Sequence, residues 1–260
     1  RALQIAATGM SAQQTRVDVI SNNLANMSTT GYNPRRAEFA DLQYQQAVRP
    51  GTLTATNGAM VPAGVQLGLG VRPAAVTVML GQGTLSQTNG DLDVAIDGLG
   101  YLEVTMPSGI SAYTRDGSLK RSAEGQVVTS DGYPLVPDIT IPEDARSIAI
   151  NANGEVFAYF NDRVAPESLG QITLANFVNE KGLEAIGSNL FLESSASGAP
   201  QVAIPGEEGL GTIRAGYLEE SSVDPVREIA ELIKAQRGYE LNSKVITAAD
   251  QMLGTTVQVR

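Results

Sequence analysis

Cysteine, histidine and tryptophan are all missing from this 260-residue chain, and aromatic residues make up only 5% of it. Without Cys there is no disulfide, no thiolate nucleophile and no Cys-rich zinc site. Without His, the commonest general base and the commonest metal ligand are lost together. An enzyme built from this chain would have to work with carboxylates, Lys, Tyr or Ser alone, so the reading is of a non-catalytic protein with no cofactor and no metal. Positive charge is also scarce. Eighteen Lys and Arg stand against 28 Asp and Glu, a net charge of −10, which argues against a nucleic-acid partner because phosphate binding needs a basic surface. No run of about 18 apolar residues is present, so no helical membrane span is expected. Arg1–Met10 does not read as a secretory signal, since Gln4 and Thr8 break its apolar stretch.

What is present is a hydrophobic content of 42%, enough for a real core, and a pattern that changes along the chain. At the N-terminus, Leu3, Met10, Val17 and Leu24 repeat every seven residues, and so do Ala6, Gln13, Ile20 and Met27. All but Gln13 are apolar, the spacing of a coiled-coil seam. Gln14, Arg16, Asp18 and Asn22 fall on the other face. Thr29-Thr30-Gly31 followed by Pro34 supplies the stop, with Gly31 suited to the left-handed conformation past a helix end.

At the C-terminus, Asp224-Pro225 reads as a helix start, with Asp as the N-cap and Pro where its missing N–H costs nothing. Leu232, Tyr239, Ile246 and Leu253 then form one seven-residue series, and Ala235, Asn242, Ala249 and Thr256 a second, smaller and more polar one. Gly238 weakens this helix by about 1 kcal/mol relative to Ala, and a close backbone contact would account for it. Amides crowd both seams: Gln13, Asn22, Asn23, Asn26, Gln236 and Asn242. Buried amides fix register at a cost in stability, and so many of them point to contacts beyond one chain's own core.

Between the helices the period changes to two. Short alternating runs such as Asp93–Ile96, Tyr101–Thr105, Gln126–Thr129, Ser147–Ile150 and Glu155–Tyr159 are punctuated by Asp97-Gly98, Asp131-Gly132 and Asn153-Gly154. Asp-Gly and Asn-Gly steps suit the positive φ of tight hairpin turns. The expected fold is α+β. Terminal helices at 1–34 and 222–260 form a coiled-coil layer, 91–204 forms a central antiparallel all-β domain, and 35–90 with 205–221 form extended β or loop linkers. Val61–Val78 carries many aliphatics for a solvated linker, so ordering of that linker on assembly is expected.

Several runs then match a known group. Ala7-Thr8-Gly9-Met10-Ser11-Ala12-Gln13-Gln14, Ile20-Ser21-Asn22-Asn23-Leu24-Ala25-Asn26 and Thr29-Thr30-Gly31-Tyr32 resemble the N-terminal signature of the bacterial flagellar rod and hook proteins. Gln236-Arg237-Gly238-Tyr239-Glu240 is similar to that family's closing helix, and Ile96–Leu102, Tyr113–Leu119 and Gly125–Leu135 resemble its middle. The resemblance implies a structural subunit of a helical homo-oligomer, a hollow drive shaft that carries torque from motor to hook. Its neighbours would be other rod proteins and the hook protein along the axis, the surrounding P and L ring proteins, and the rod cap during assembly. It would leave the cell through the flagellar type III export apparatus without a cleaved signal and lie in the periplasmic part of the basal body. The inner layer would use Leu3, Met10, Gln13, Val17, Ile20, Asn22, Asn23, Leu24, Asn26 and Met27, together with Leu232, Ala235, Tyr239, Asn242, Ile246, Ala249 and Leu253. Within the family, the length and the segment containing Tyr44, Pro50, Gly51 and Thr56 favour the distal rod over proximal rod or hook-type members.

The rival from a different class is a monomeric β-rich binding module that merely ends in helices. Smaller motifs do not count. Asp91, Asp93 and Asp97 lack calcium-loop spacing and a Glu at the last position, and Gly68-Leu69-Gly70 lacks the third Gly of a dinucleotide fingerprint. Glu207-Glu208 and Glu219-Glu220 lie in Gly-rich stretches and read as solvated charge.

Overall fold

The computed structural model describes residues 1–48, 64–161, 163 and 165–258. The chain divides into two compact units, one of residues 1–25, 35–77 and 224–260, the other of residues 26–34 and 78–223. The α+β layout expected from the change of period is what the chain adopts, with a helix towards each end and antiparallel strands between.

In the first unit, helix α1 (Ala2–Ala25) and helix α2 (Pro225–Gln258) pack side by side. Asn23 contacts Glu228 and Arg16 contacts Glu231, while Gly9 faces Asn242. Early residues of one helix therefore meet late residues of the other, and the pair is antiparallel. The start of α2 is as its sequence reads: the Asp224 side chain accepts from the N–H groups of Val226 at 3.0 Å and Arg227 at 3.2 Å, so two of the first-turn donors are satisfied. Strand Arg35–Asp41 pairs with Val71–Val78, and Tyr44–Val48 pairs antiparallel with Val65–Gly68. Thr8 ties this β material to α1, its hydroxyl accepting from the Val71 N–H at 3.3 Å.

Among its described residues the second unit is built from β strands, with a 3-10 turn at Glu180–Gly182. Its main sheet has seven strands. Six run in the order Glu184–Gly187, Leu190–Leu192, Ser111–Thr114, Tyr101–Thr105, Leu174–Asn176, Gln201–Ala203, and Leu135–Val136 also pairs with Tyr101–Thr105. Ala145–Ile150, Glu155–Phe160 and Glu167–Gln171 form a three-stranded meander. The core gathers Val94, Ile96, Leu102, Val104, Leu135, Ile139, Val156, Ile172 and Leu174, inward-facing members of the alternating runs. On another face Tyr101, Tyr113, Phe177 and Phe191 meet edge to face. Burial there, aided by Glu180, drives the Tyr101 phenol upward, and burial with the nearby Glu103 and Glu193 pushes Tyr113 up to about 12. Both stay neutral donors under ordinary conditions.

Two parts of the expected linkers belong to this β unit. Residues 78–90 and 205–221 were expected as extended connections, yet Leu85–Gln87 pairs with Tyr217–Glu219 and Val94–Asp97 pairs with Thr212–Ala215. Their partners lie more than a hundred residues away, so no local pattern marks the pairing.

Candidate assembly interface

The helix pair is built around small residues at its centre. Ala6, Ala12 and Ile20 of α1 are buried, as are Ala235 and Ala249 of α2. Gly9 lies against the Asn242 side chain, and a Cβ there would stand 2.9 Å from the Asn242 amide nitrogen. Gly238 lies against Gln13, where a Cβ would stand 3.1 Å from the side-chain carbonyl carbon. Each helix thus presents an amide to a glycine of the other, a reciprocal lock that lets the backbones approach and sets their register. At Gly238 the close neighbour is therefore a side chain of α1, not its backbone.

That contact has a cost. The Gln13 Oε1 is buried without a hydrogen-bond partner, a penalty of about 1–3 kcal/mol for an orphaned acceptor. Replacing Gly238 by Ala would gain about 1 kcal/mol of helix propensity while pushing only the flexible end of Gln13 aside, so near-neutral behaviour is expected. Gly238→Leu has no room and is expected to lose about 1–3 kcal/mol from overpacking, measured as a lower unfolding midpoint of the helical signal.

Asn23, 1% exposed, holds three elements together. Its Oδ1 accepts from the Arg35 N–H and its Nδ2 donates to the Arg35 carbonyl, both at 2.8 Å. The Nδ2 also reaches Glu228 at 3.2 Å. Across the pair, Arg16 meets Glu231 at 3.0 Å. The Glu231 carboxyl is held below its usual range first by a hydrogen bond from Lys234 and then by the charges of Lys234, Arg16 and Arg227, against an opposing effect of burial. Partly exposed ion pairs of this kind contribute about 0–1 kcal/mol, so Arg16–Glu231 selects register more than it stabilises.

The seam residues expected from the seven-residue series are placed unevenly. Leu3, Met10, Val17 and Leu24 are half-buried along one flank of α1 rather than at its centre. Leu232, Asn242 and Ile246 of α2 are half-buried as well, Tyr239 is 45% exposed and Leu253 is 55% exposed. Asn22 sits on the exposed side of α1. Two expectations are corrected. Asn26 and Met27 lie beyond the end of α1 at Ala25, because the Asn26 carbonyl accepts from the Thr29 N–H at 3.1 Å and the Thr29 hydroxyl donates to the Asn26 side chain, a local turn that competes with helix continuation. Tyr44 opens a strand, whereas Pro50, Gly51 and Thr56 lie outside the described residues, as does the side chain of Thr256.

A further correction concerns Glu219. It is 2% exposed and not solvated. The Arg115 Nε donates to its Oε2 at 2.9 Å, and the Gly83 N–H donates to its Oε1 at 2.9 Å. Arg115, itself 7% exposed, also donates to the carbonyls of Gly100 at 3.1 Å and Gly98 at 3.0 Å. Segment 26–34 is fastened beside this node. The Gly31 N–H donates to the Glu219 carbonyl at 2.8 Å, and Gly31, with φ 65°, packs so closely that a Cβ would stand 2.9 Å from the Arg115 carbonyl carbon. The Ser222 N–H donates to the Tyr32 carbonyl at 3.1 Å. Glu207, Glu208 and Glu220 are exposed, as expected.

Among the described residues no group of three metal-ligating side chains gathers, Asp97 pairs with Arg214 at 2.7 Å and Asp93 accepts from the Thr88 hydroxyl. Among the described residues no helix is long and apolar enough to cross a membrane.

Comparison with known proteins decides the family. Residues 3–33 match the flagella basal body rod protein family, 95–158 the flagellar hook protein FlgE/F/G D1 domain, and 214–259 the flagellar basal body rod FlgEFG protein C-terminal family. The flagellar basal-body rod protein FlgG of Caulobacter vibrioides is 52% identical over 260 residues, covering 100% of this chain and 99% of that one. This chain belongs to the flagellar basal-body rod protein family. The FlgG protein of Agrobacterium fabrum is 49% identical with 97% and 96% covered, and that of Bacillus subtilis is 37% identical with 100% and 99% covered. The protein is therefore a structural, non-enzymatic subunit of the flagellar basal-body rod. The helix pair, the β unit and the Arg115–Glu219 node are the architecture of that subunit.

Proposed function

We propose that this subunit polymerises through its helix pair into the distal part of the rod, a hollow helical shaft that carries torque to the hook. In this reading residues 1–25 and 224–260 form the inner coiled-coil layer, with the seam residues of both helices engaging neighbouring copies. The segment 35–77 joins that layer to an outer β domain made of residues 26–34 and 78–223. Other rod proteins and the hook protein meet it end to end, the P and L ring proteins surround it, and the rod cap guides its addition. The subunit passes unfolded through the type III export apparatus without a cleaved signal and acts in the periplasm. The length, together with the segment opened by Tyr44 and containing Pro50, Gly51 and Thr56, supports the distal position.

One observation carries the reading. The helix pair leaves Ile5, Val226, Ile233, Tyr239 and Leu241 at 41%, 79%, 53%, 45% and 62% exposure. Uncovered apolar surface of this kind marks an interaction surface, and here it lies on the two terminal helices. Sedimentation of the purified chain over a range of concentrations, combined with amide hydrogen exchange, tests this. Concentration-dependent assembly with protection rising first in α1 and α2 is expected. A chain that stays monomeric with equally protected helices and β unit would instead be a self-contained binding module.

A further inference from the structure

The chain passes between the two units four times, after residues 25, 34, 77 and 223, and in the β unit these connections are all tied to one place. Segment 26–34 is held by the Gly31 N–H on the Glu219 carbonyl at 2.8 Å and the Ser222 N–H on the Tyr32 carbonyl at 3.1 Å. The Met79 N–H donates to the Pro34 carbonyl at 2.8 Å. Segment 78–84 is held by the Gly83 N–H on the Glu219 Oε1 and the Glu220 N–H on the Thr84 carbonyl, both at 2.9 Å. A Cβ at Gly83 would overlap the Glu220 carbonyl, so these two segments lie backbone against backbone. All three segments meet the main sheet through Arg115, which follows strand Ser111–Thr114 directly. Its Nε donates to Glu219, and its other two nitrogens donate to the carbonyls of Gly98 and Gly100, just before strand Tyr101–Thr105. In the helical unit Asn23 is the counterpart. It binds both backbone groups of Arg35 and the Glu228 side chain, close to three of the four crossings.

Resting on the torque-carrying role proposed above, we infer that the Arg115–Glu219 node is a mechanical clamp that makes the subunit's four connections act as one. Separate connections take tension unequally, because the tautest carries it while the others hang slack. Slack is large in an extended chain. Each free residue adds up to about 3.3–3.6 Å, so segment 26–34 alone would allow about 30 Å of play. Tied to one another and to Arg115, the connections lose that play. Force arriving along any of them then passes directly into strands Tyr101–Thr105 and Ser111–Thr114. A charged pair suits this task better than an apolar contact does. The guanidinium fork fixes three acceptors in set directions, and burial keeps water from competing for them. Apolar packing is non-directional and would let the segments slide.

Optical-trap stretching of single full-length chains tests this, and the absence of cysteine lets two handles be placed at will. Handles at Arg1→Cys and Ser108→Cys pull the start of the chain against the exposed tip between the two central strands. With the clamp intact, low-force extension is expected to draw out α1 and then stop at Gly31 until the β unit unfolds. Arg115→Met with Glu219→Leu removes the clamp and leaves no orphaned charge, and urea unfolding checks that the β unit still folds. In that variant the low-force extension is expected to run on to Gly83, releasing a further 180 Å of chain, roughly, at 3.3–3.6 Å per residue. Glu219→Gln, which keeps an acceptor for Gly83, is expected to keep the stop but release it at lower force. It decides the matter if the double variant does not fold, and an unchanged release force would then overturn the inference. A double variant that folds and still stops at Gly31 would show that packing alone holds the connections, and would overturn it too. So would an intact clamp whose chain runs past Gly31 at low force. Stretching needs no polymer, so a chain that clamps but never polymerises removes the torque reading and leaves the clamp standing.

Discussion

Glu219→Ala is expected to cost the β unit about 3–5 kcal/mol, because it leaves the Arg115 guanidinium buried without its counter-charge. Arg115 keeps the carbonyls of Gly98 and Gly100 and the face of the Tyr101 ring, and the Gly83 N–H loses its acceptor. Glu219→Gln should cost less, since an amide oxygen can still accept from Gly83. Replacing both charges, Arg115→Met with Glu219→Leu, should also cost less than Glu219→Ala alone, because the expense lies in the orphaned charge more than in the pair's own worth. Urea unfolding followed through the tyrosine signal measures all three. A loss below about 1 kcal/mol for Glu219→Ala would show that water reaches the node and that the pair behaves like a surface salt bridge. A second reporter is local. The Gly31 and Ser222 amides, held to Glu219 and Tyr32, should lose exchange protection in Glu219→Ala before the sheet core does.

Ile20→Asp should abolish polymer while leaving the β unit's unfolding unchanged. Ile20 is 5% exposed at the centre of the helix pair, next to Asn23 and Arg16. An unpaired carboxylate buried there costs several kcal/mol. The helix pair has little to spare against that sum. Its centre is mostly small residues, it already buries the orphaned Gln13 acceptor, and most helical stability in a protein comes from packing of an amphipathic face rather than from propensity. The expected result is loss of helical circular dichroism and of all pelletable polymer, with the urea midpoint of residues 78–223 unmoved. Polymer of normal yield from this variant would show that pairing of α1 with α2 within a chain is unnecessary for assembly.

Much of this architecture was legible in the sequence, and the parts that were not share a physical cause. The terminal helices are marked by local signals: apolar seven-residue series and the Asp224-Pro225 start, whereas the stop read at Gly31 comes six residues after α1 ends at Ala25. The β strands are marked by alternation and by Asp-Gly and Asn-Gly turns. Which residues of a helix stripe reach the centre is a different matter, set by how closely two backbones approach. Gly9 and Gly238 allow the closest approach, so alanines occupy the middle while Leu3, Met10, Val17 and Leu24 move to the flank. A signal for this was available, since each helix carries a glycine facing an amide of the other. The outward apolar row of Val226, Ile229, Ile233 and Leu241 was also readable, but assigning one seam to each helix hid it. Glu219 was out of reach. Its partner Arg115 is 104 residues away, and in a Gly-rich stretch a buried acid looks the same as a solvated one. The pairing of 205–221 with 85–97 was missed for the same reason, since non-local ladders leave no local period.

The measurement that bears most directly on the account is electron microscopy of the purified, unaltered chain at high concentration. Hollow helical tubes, with diffuse density outside a helical wall, are the predicted result. A field of dispersed single particles at every concentration, from a chain whose helical and β signals are both intact, would contradict it.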